Sequence, residues 1–236
     1  NNLTKIFGGV AALNEVSFQV NQGSIFAIIG PNGAGKTTIF NLISGTLKPD
    51  RGSIIFNEIN LTGLKPYQVA AAGVTRTFQN LQLFNKMTVL ENVMTGAYLQ
   101  GKNGFIKSLF SPPGKDREEI MIKNRALTLL EEIGLGHTAH LPAAHLPFAH
   151  KRLLEVARAL MANPRLILLD EPAAGLNTVE THSLAVFLKN LKARGMTMLL
   201  IEHDMKTVMK IADRILVVNY GKVLAEGTPA EIQANR

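Results

Sequence analysis

One short segment of this chain carries residues that can do chemistry on phosphate groups. Residues 30–37 read Gly-Pro-Asn-Gly-Ala-Gly-Lys-Thr and fit the pattern G-x-x-x-x-G-K-[ST]. Because glycine has no Cβ, such a backbone can bring its N–H groups close to phosphate oxygens. Lys36 can reach β- and γ-phosphates, and the Thr37 hydroxyl can bind Mg²⁺. The predicted phosphate contacts are Gly30, Pro31, Asn32, Gly33, Ala34, Gly35, Lys36, Thr37 and Thr38.

A second group of polar residues follows the apolar run at 166–169. Asp170 and Glu171 come directly after Leu-Ile-Leu-Leu, which is typical of a buried strand. In open α/β sheets, ligands bind at the carboxyl ends of the strands. Asp170 is therefore a candidate Mg²⁺ ligand, usually through water, and Glu171 can orient or deprotonate an attacking water. Without the loop at Gly30, an acidic turn would explain the pair equally well.

Two further polar residues fit the same chemistry less specifically. His203 ends the predicted strand from Met196 to Glu202 and could contact a γ-phosphate, although a histidine at a strand end more often has no role in binding. Gln79 lies where the strand-rich part of the chain gives way to a helical part. It could bind Mg²⁺ or water while sensing the position of that helical part.

The elements that position these residues alternate between strands and helices. Apolar runs at 25–29, 166–169, 196–201 and 215–218 predict strands of a parallel sheet buried on both faces. Alternating residues at 16–20 and within 52–57 predict half-exposed antiparallel strands. A turn at 219–222 predicts a late hairpin. Thr228 and Glu231 form a capping box that opens a last helix.

The middle of the chain lacks strand signals and is predicted to be helical. A capping box of Thr88 and Glu91 opens one helix, and a periodic pattern at 117–133 ends at Gly134. A third helix is predicted at 153–161. The resulting domain prediction is one domain over 1–236, with its core at 1–85 and 162–236 and a helical insert at 86–161.

Composition limits the class of protein. The chain has 236 residues, of which 46% are hydrophobic and 18% charged, as in a folded domain. No apolar run reaches the roughly 18–20 residues of a membrane span, and no signal peptide is evident. Cysteine is absent, which fits a reducing compartment. The net charge of +7 is scattered, so a solvated surface is favoured over nucleic-acid binding. The absence of an initial methionine suggests a trimmed terminus.

The order of these features resembles the ATP-binding cassette (ABC) family over essentially the whole chain. The resemblance implies a P-loop NTPase (RecA-like) α/β fold, with a parallel-sheet core, an N-terminal antiparallel β subdomain and an inserted α-helical subdomain. It implies ATP and Mg²⁺ as ligands, and a head-to-tail dimer in which ATP lies between one phosphate loop and the partner's signature. Phe7 would then stack on adenine, with a core strand aromatic as the alternative.

Short local sequences further resemble the ATPase subunits of branched-chain amino-acid importers. They are found at Phe7-Gly8-Gly9, Arg76-Thr77-Phe78-Gln79 and residues 173–177. Such a chain would sit at the cytoplasmic face of the inner membrane, attached peripherally through transmembrane permease subunits. The expected dock for a permease helix is the apolar set Leu81, Leu83, Phe84, Met87 and Val89. The alternative is that these residues form the core of the insert.

One motif departs from the family pattern. The general signature L-S-G-G-Q reads here Leu146, Pro147, Phe148, Ala149 and His150. Proline offers neither a hydroxyl nor an N–H to a γ-phosphate, and a Cβ at Ala149 is expected to crowd the phosphate. Because the signature acts on the partner's nucleotide, this departure favours a heterodimer with unequal sites.

Three other functions compete with an importer subunit. A soluble cassette ATPase would work on ribosomes, DNA repair or cluster assembly, but the chain lacks a second cassette and a long coiled coil. A nucleotide-gated binding module without useful hydrolysis is disfavoured by Glu171 and His203. A lipid exporter shares many of the same local sequences. The sequence identifies neither the solute nor the partner.

Overall fold

The computed structural model describes residues 1–77, 81–99 and 117–234. In chain order, its strands are β1 (Leu3–Phe7), β2 (Val10–Val16), β3 (Ile25–Ile29), β4 (Ile55–Phe56), β5 (Ile59–Asn60), β6 (Val74–Arg76), β7 (Leu166–Asp170), β8 (Thr197–Ile201), β9 (Arg214–Asn219) and β10 (Lys222–Gly227). Its helices are α1 (Lys36–Ile43), α2 (Pro66–Ala71), α3 (Val89–Thr95), α4 (Arg117–Glu132), α5 (Phe148–Met161), α6 (Thr178–Ala193), α7 (Met205–Ile211) and α8 (Pro229–Ala234).

The largest sheet has six strands in the order β10-β9-β3-β8-β7-β6. Strands β9, β3, β8, β7 and β6 are parallel, and β10 pairs antiparallel with β9 through the predicted hairpin. All five residues of β3, β7 and β8 are buried, as their continuous apolar runs predict. The parallel-sheet core is therefore confirmed.

Successive side chains of β3 enter two different hydrophobic clusters. Ile25, Ala27 and Ile29 pack in a cluster with residues of α6, whereas Phe26 and Ile28 pack in a cluster with residues of α1. Side chains of a strand point alternately to its two faces, so helices cover both sides of this sheet. This layering holds the loop after β3 and the ends of β7 and β8 at one edge.

The antiparallel strands of the chain lie at other positions than the sequence predicts, and within 52–57 only Ile55–Phe56 forms a strand. β1 pairs with β2 and β4 pairs with β5, each in a two-stranded sheet. The strand predicted at 16–20 is wrong, because β2 ends at Val16 and residues 17–20 have no regular structure. Phe18 instead stacks on Phe26, with the ring centroids 5.5 Å apart. The alternation at 16–20 thus reflects packing against the core sheet rather than strand pairing.

Between residues 86 and 161, the described elements are helical. Thr88 and Glu91 form the predicted capping box, and Gly134 has a φ of +73° just after α4. α5 begins five residues earlier than the predicted start at 153, at Phe148. These helices join the same hydrophobic cluster as one face of the sheet, through Val93, Leu130 and Leu154. The limits 86 and 161 of the insert stay a prediction. Within the described ranges, no helix is long and apolar enough to span a membrane.

Candidate functional site

The loop between β3 and α1 is held against two neighbouring strands. A Cβ at Gly30 would lie against the carbonyl oxygen of Val218 in β9, and a Cβ at Gly35 would lie 2.7 Å from the carbonyl oxygen of Ala12 in β2. Gly35 also has a φ of +105°, a conformation that side chains disfavour. These two glycines are therefore needed for the loop to follow its path.

Lys36 lies at the first position of α1 and is 5% exposed. Its Nζ donates to the carbonyl oxygens of Gly30 (2.7 Å) and Pro31 (2.8 Å). Burial lowers the pKa of Lys36, and the nearby carboxylates of Glu171 and Asp170 oppose that shift. No side chain of the described residues caps α1, so the N–H groups of its first turn remain for an anion.

Asp170 ends β7 and is held by an arginine from the neighbouring strand. Arg76 Nη2 donates to Asp170 Oδ2 at 2.7 Å, and the two side chains are 8% and 3% exposed. Arg76 Nη1 donates to Asn41 Oδ1 on α1 at 2.6 Å, and the guanidinium lies 5.5 Å from the Phe40 ring centroid. One guanidinium thus links β6, the end of β7 and the helix after the phosphate loop.

Glu171 and His203 meet at the ends of β7 and β8. His203 Nε2 lies 2.8 Å from Glu171 Oε1, and the Glu171 N–H donates to the carbonyl oxygen of Ile201 at 2.9 Å. Glu171 has a φ of +50°, which is uncommon for a residue with a side chain. Backbone strain of this kind costs of order 1–3 kcal/mol and persists where the surroundings enforce it. The structure therefore brings together two residues that the sequence singles out separately.

The polar groups at this edge fit a magnesium ion that is shared with a phosphate. Mg²⁺ prefers oxygen ligands and is usually held by one or two carboxylates together with substrate phosphates. Thr37 is exposed at the start of α1, and Asp170 supplies a carboxylate. In the part of the chain that the structure describes, no group of three or more His, Cys, Asp or Glu residues could hold a metal by itself. The donor set fits a metal that arrives with a nucleotide.

The signature residues lie at the start of α5. Pro147 is the N-cap, and no side-chain cap is present among the described residues. The exposed Phe148 ring packs on the loop after β7, because a Cβ at Gly175 would lie 2.8 Å from Phe148 Cε1. Ala149 is 6% exposed, so its methyl group does not project from this surface. Crowding of the partner's phosphate by this Cβ in a dimer stays a prediction.

The other sequence candidates have different outcomes. Phe7 is 46% exposed at the end of β1, with Lys5 Nζ 5.5 Å from its ring centroid, so it is not a core aromatic. Stacking of Phe7 on adenine stays a prediction. Gln79 lies outside the described residues.

The expected permease dock is only partly a surface. A groove of about 540 Å³ runs between the α1–α2–β6 side and the α3–α5 side, and Leu83 and Phe84 line it. Met87 is 38% exposed, but Val89 is fully buried in the core, so its assignment to a docking surface is wrong. Arg158 also lines the groove: it donates to the Gln82 carbonyl oxygen and lies 5.8 Å from the Phe84 ring centroid. Burial lowers the pKa of Arg158, against the opposing effect of Glu155.

Two charged residues of this site, Arg76 and Glu202, are absent from the site residues that the sequence predicts. In the sequence, Arg76 is marked only by the family-like local sequence around it. Strand β6 has three residues, which are too few to show a strand pattern. Glu202 does carry a signal, because an ionisable residue at the end of a buried apolar strand is costly and needs partners.

Comparison with known proteins agrees with this geometry. The family model described as "ABC transporter" matches residues 13–174, more than half of the chain. The chain belongs to the ABC transporter family. The high-affinity branched-chain amino acid transport ATP-binding protein LivG of Salmonella typhimurium is 46% identical over 236 residues, which is 100% of this chain and 92% of LivG. The prediction of this family from the sequence is confirmed.

Two solved structures of ABC transporter cassettes support the fold. One, in its ADP conformation, has a TM-score of 0.86 and 39% identity, covering 98% of this chain and 91% of the cassette. A dimeric bacterial cassette has a TM-score of 0.77 and 27% identity, covering 97% of both chains. The predicted P-loop NTPase fold is confirmed.

Proposed function

We propose that this chain is the ATP-hydrolysing subunit of an importer for branched-chain amino acids. The observation that carries the proposal is the meeting of the Gly30–Lys36 loop, Asp170 and the Glu171–His203 pair at one sheet edge, in a chain similar to LivG over its full length. Residues that bind and cleave a nucleotide are needed at one place, and this edge supplies them.

The phosphates of ATP bind along the loop and the N-terminus of α1. Lys36 exchanges its bonds to the Gly30 and Pro31 carbonyl oxygens for bonds to β- and γ-phosphate oxygens. Mg²⁺, when bound, neutralises charge on those phosphates, and Thr37, Asp170 and Gln79 are its proposed ligands. Phe7, exposed on the β1–β2 hairpin beside the loop, stacks on the adenine.

Glu171 receives the proton of the attacking water, and His203 holds the carboxylate in place. The 2.8 Å contact between them orients Glu171, and His203 can also donate to the γ-phosphate. Positioning and electrostatic stabilisation supply most of the catalysis in such phosphoryl transfers.

The permease is proposed to bind in the groove beside Leu83 and Phe84. A short amphipathic helix can place its apolar face there, and an acidic residue or a helix C-terminus would suit Arg158. The groove touches both the sheet side and the helical side of the chain, so closure of the cassette on ATP would move the bound helix. The cassette then associates with the inner membrane through that contact.

The second cassette of the transporter is proposed to be a different chain. The signature of this chain has Pro147 where the family pattern has serine, and the N-cap position lacks a side-chain cap within the described structure. A partner with a complete signature would serve the nucleotide bound at Lys36 of this chain.

Reconstitution in proteoliposomes tests the proposal. The chain, its neighbouring cassette and its permeases are assembled with the matching binding protein, and uptake of leucine and release of phosphate are measured with ATP inside. Wild type should import leucine, and Glu171→Gln should bind ATP but lose at least about 10²-fold in both rates. Lys36→Ala should lose ATP binding as well.

Three outcomes of this experiment would favour other interpretations. ATP hydrolysis that proceeds without uptake of any amino acid would indicate a soluble ATPase. Uptake of glutamate in place of leucine would indicate a different solute. Near wild-type hydrolysis by Glu171→Gln would remove Glu171 from the mechanism.

A further inference from the structure

Glu202 is a buried carboxylate beside the catalytic pair, and it has no part in the proposed hydrolysis. It follows the last residue of β8 and precedes His203, and it is 4% exposed. Burial raises the pKa of Glu202, and the charge of Glu171 raises it further. The nearby backbone N–H groups of Ala173, His203 and Asp204 lower it. A charged side chain is costly to bury, so its place needs an explanation.

The two oxygens of this carboxylate bind two different segments of backbone. Oε1 accepts the N–H of Ala173 at 2.7 Å, 29 residues away in the chain. Oε2 accepts the N–H of His203 at 3.1 Å. One segment carries Glu171 two residues before Ala173, and the other carries His203. Glu202 therefore joins the backbones that present the catalytic pair.

The joined segment includes the strained backbone of Glu171. Its φ of +50° is disfavoured twice, since the residue has a Cβ and precedes Pro172. The Glu171 N–H is fixed on one side by the Ile201 carbonyl oxygen, and the Ala173 N–H is fixed on the other by Glu202. The Ala174 N–H closes the turn onto the Glu171 carbonyl oxygen. A strained conformation persists where its flanks are held in this way.

We propose that Glu202 is a positioning residue that holds Glu171 in its left-handed conformation and aims its carboxylate at the attacking water. The contact between His203 and Glu171 is partly exposed, at 43% and 19%, whereas the link through Glu202 is buried. The buried link fixes the backbone, and the exposed contact adjusts the side chain. This role rests on the proposed function of Glu171.

The test compares Glu202→Gln with wild type in the assembled transporter. A glutamine side chain replaces one of the two carboxylate oxygens by an NH2 group, which cannot accept the backbone N–H that this oxygen binds in wild type. We expect kcat for ATP hydrolysis to fall about 10- to 100-fold with KM for ATP within about 2-fold, as for small misplacements of a catalytic group. Glu202→Ala should fall at least as far.

Hydrogen exchange gives a second measurement on the same proteins. Peptides covering residues 172–177 should exchange faster in Glu202→Gln, although the substitution is in another segment. Glu91→Gln is the matched control, because Glu91 also caps a backbone N–H but lies on α3. It should change neither kcat nor exchange at 172–177.

The outcomes separate this inference from the proposed function. A kcat within about 2-fold of wild type for Glu202→Gln, with Glu171→Gln inactive, overturns the positioning role alone. Unchanged exchange at 172–177 also overturns it, as does a rise in KM that parallels the fall in kcat together with a lower melting temperature. Full activity of Glu171→Gln overturns both.

Discussion

Asp170 is a buried acid paired with an arginine, and this arrangement bears on both stability and function. Its Oδ2 accepts a hydrogen bond from Arg76, while Lys36 contributes a second positive charge nearby. A buried ion pair gives little net stability over an apolar pair, but removal of one partner leaves an uncompensated charge. Arg76 thus holds a candidate metal-binding acid in one orientation, where both side chains are almost inaccessible to solvent.

The first prediction follows from that pair. Arg76→Met should lower the free energy of unfolding by about 3–5 kcal/mol, because Asp170 stays buried without its partner. Lys5→Met is the matched control: Lys5 lies 3.0 Å from Asp50, whose side chain is 42% exposed, and loss of such a pair costs about 0–1 kcal/mol. Urea denaturation of both variants measures the difference. Equal losses would mean that Arg76 does not compensate a buried charge.

Among the helices, α7 depends on an acidic cap next to His203. Asp204 accepts the N–H of Lys206 at 3.1 Å and the hydroxyl of Thr207. The Thr207 hydroxyl, more than any other group, holds the pKa of Asp204 below its usual range. A lowered carboxylate pKa contributes stability that is present above the unfolded pKa and is lost as pH falls through the folded pKa.

The second prediction uses that linkage. Asp204→Ala should cost about 1 kcal/mol at pH 7, a typical value for an N-cap, and the cost should shrink as the pH falls below about 4. Asn177 is the matched control, since its amide caps α6 through the N–H groups of Val179 and Glu180 and does not titrate. Chemical denaturation from about pH 7 to about pH 3 checks both variants. The stability cost of Asn177→Ala should not show the decline at low pH that is expected for Asp204→Ala. The same pH dependence of the cost in both variants would contradict the linkage between Asp204 ionisation and stability.

At the scale of the molecule, the sequence predicts what depends on local patterns. The runs that form β3 and β7 are continuous and apolar, and the loop at 30–37 follows from residue types alone. The strand expected at 16–20 failed because alternation also arises where Phe18 packs on the sheet without pairing. The bonds from Arg76 to Asp170 and from Glu202 to Ala173 join residues 94 and 29 positions apart. Only the folded sheet brings such residues together.

The last prediction concerns the assembled dimer. Loss of one preorganised donor to a developing negative charge typically costs about 10²–10³ in rate. Pro147 has neither a hydroxyl nor an N–H to give, and the Cβ of Ala149 is predicted to displace a further N–H from the partner's phosphate. A homodimer of this chain would place that defect over both nucleotides, so the isolated chain should hydrolyse ATP slowly.

A partner with a complete signature should restore turnover at the Lys36–Glu171 site of this chain. In mixed dimers with one general base replaced at a time, Glu171→Gln in this chain should remove most activity, and the equivalent change in the partner should remove little. Equal losses would mean that a signature beginning Leu146-Pro147 supports hydrolysis as well as the common form.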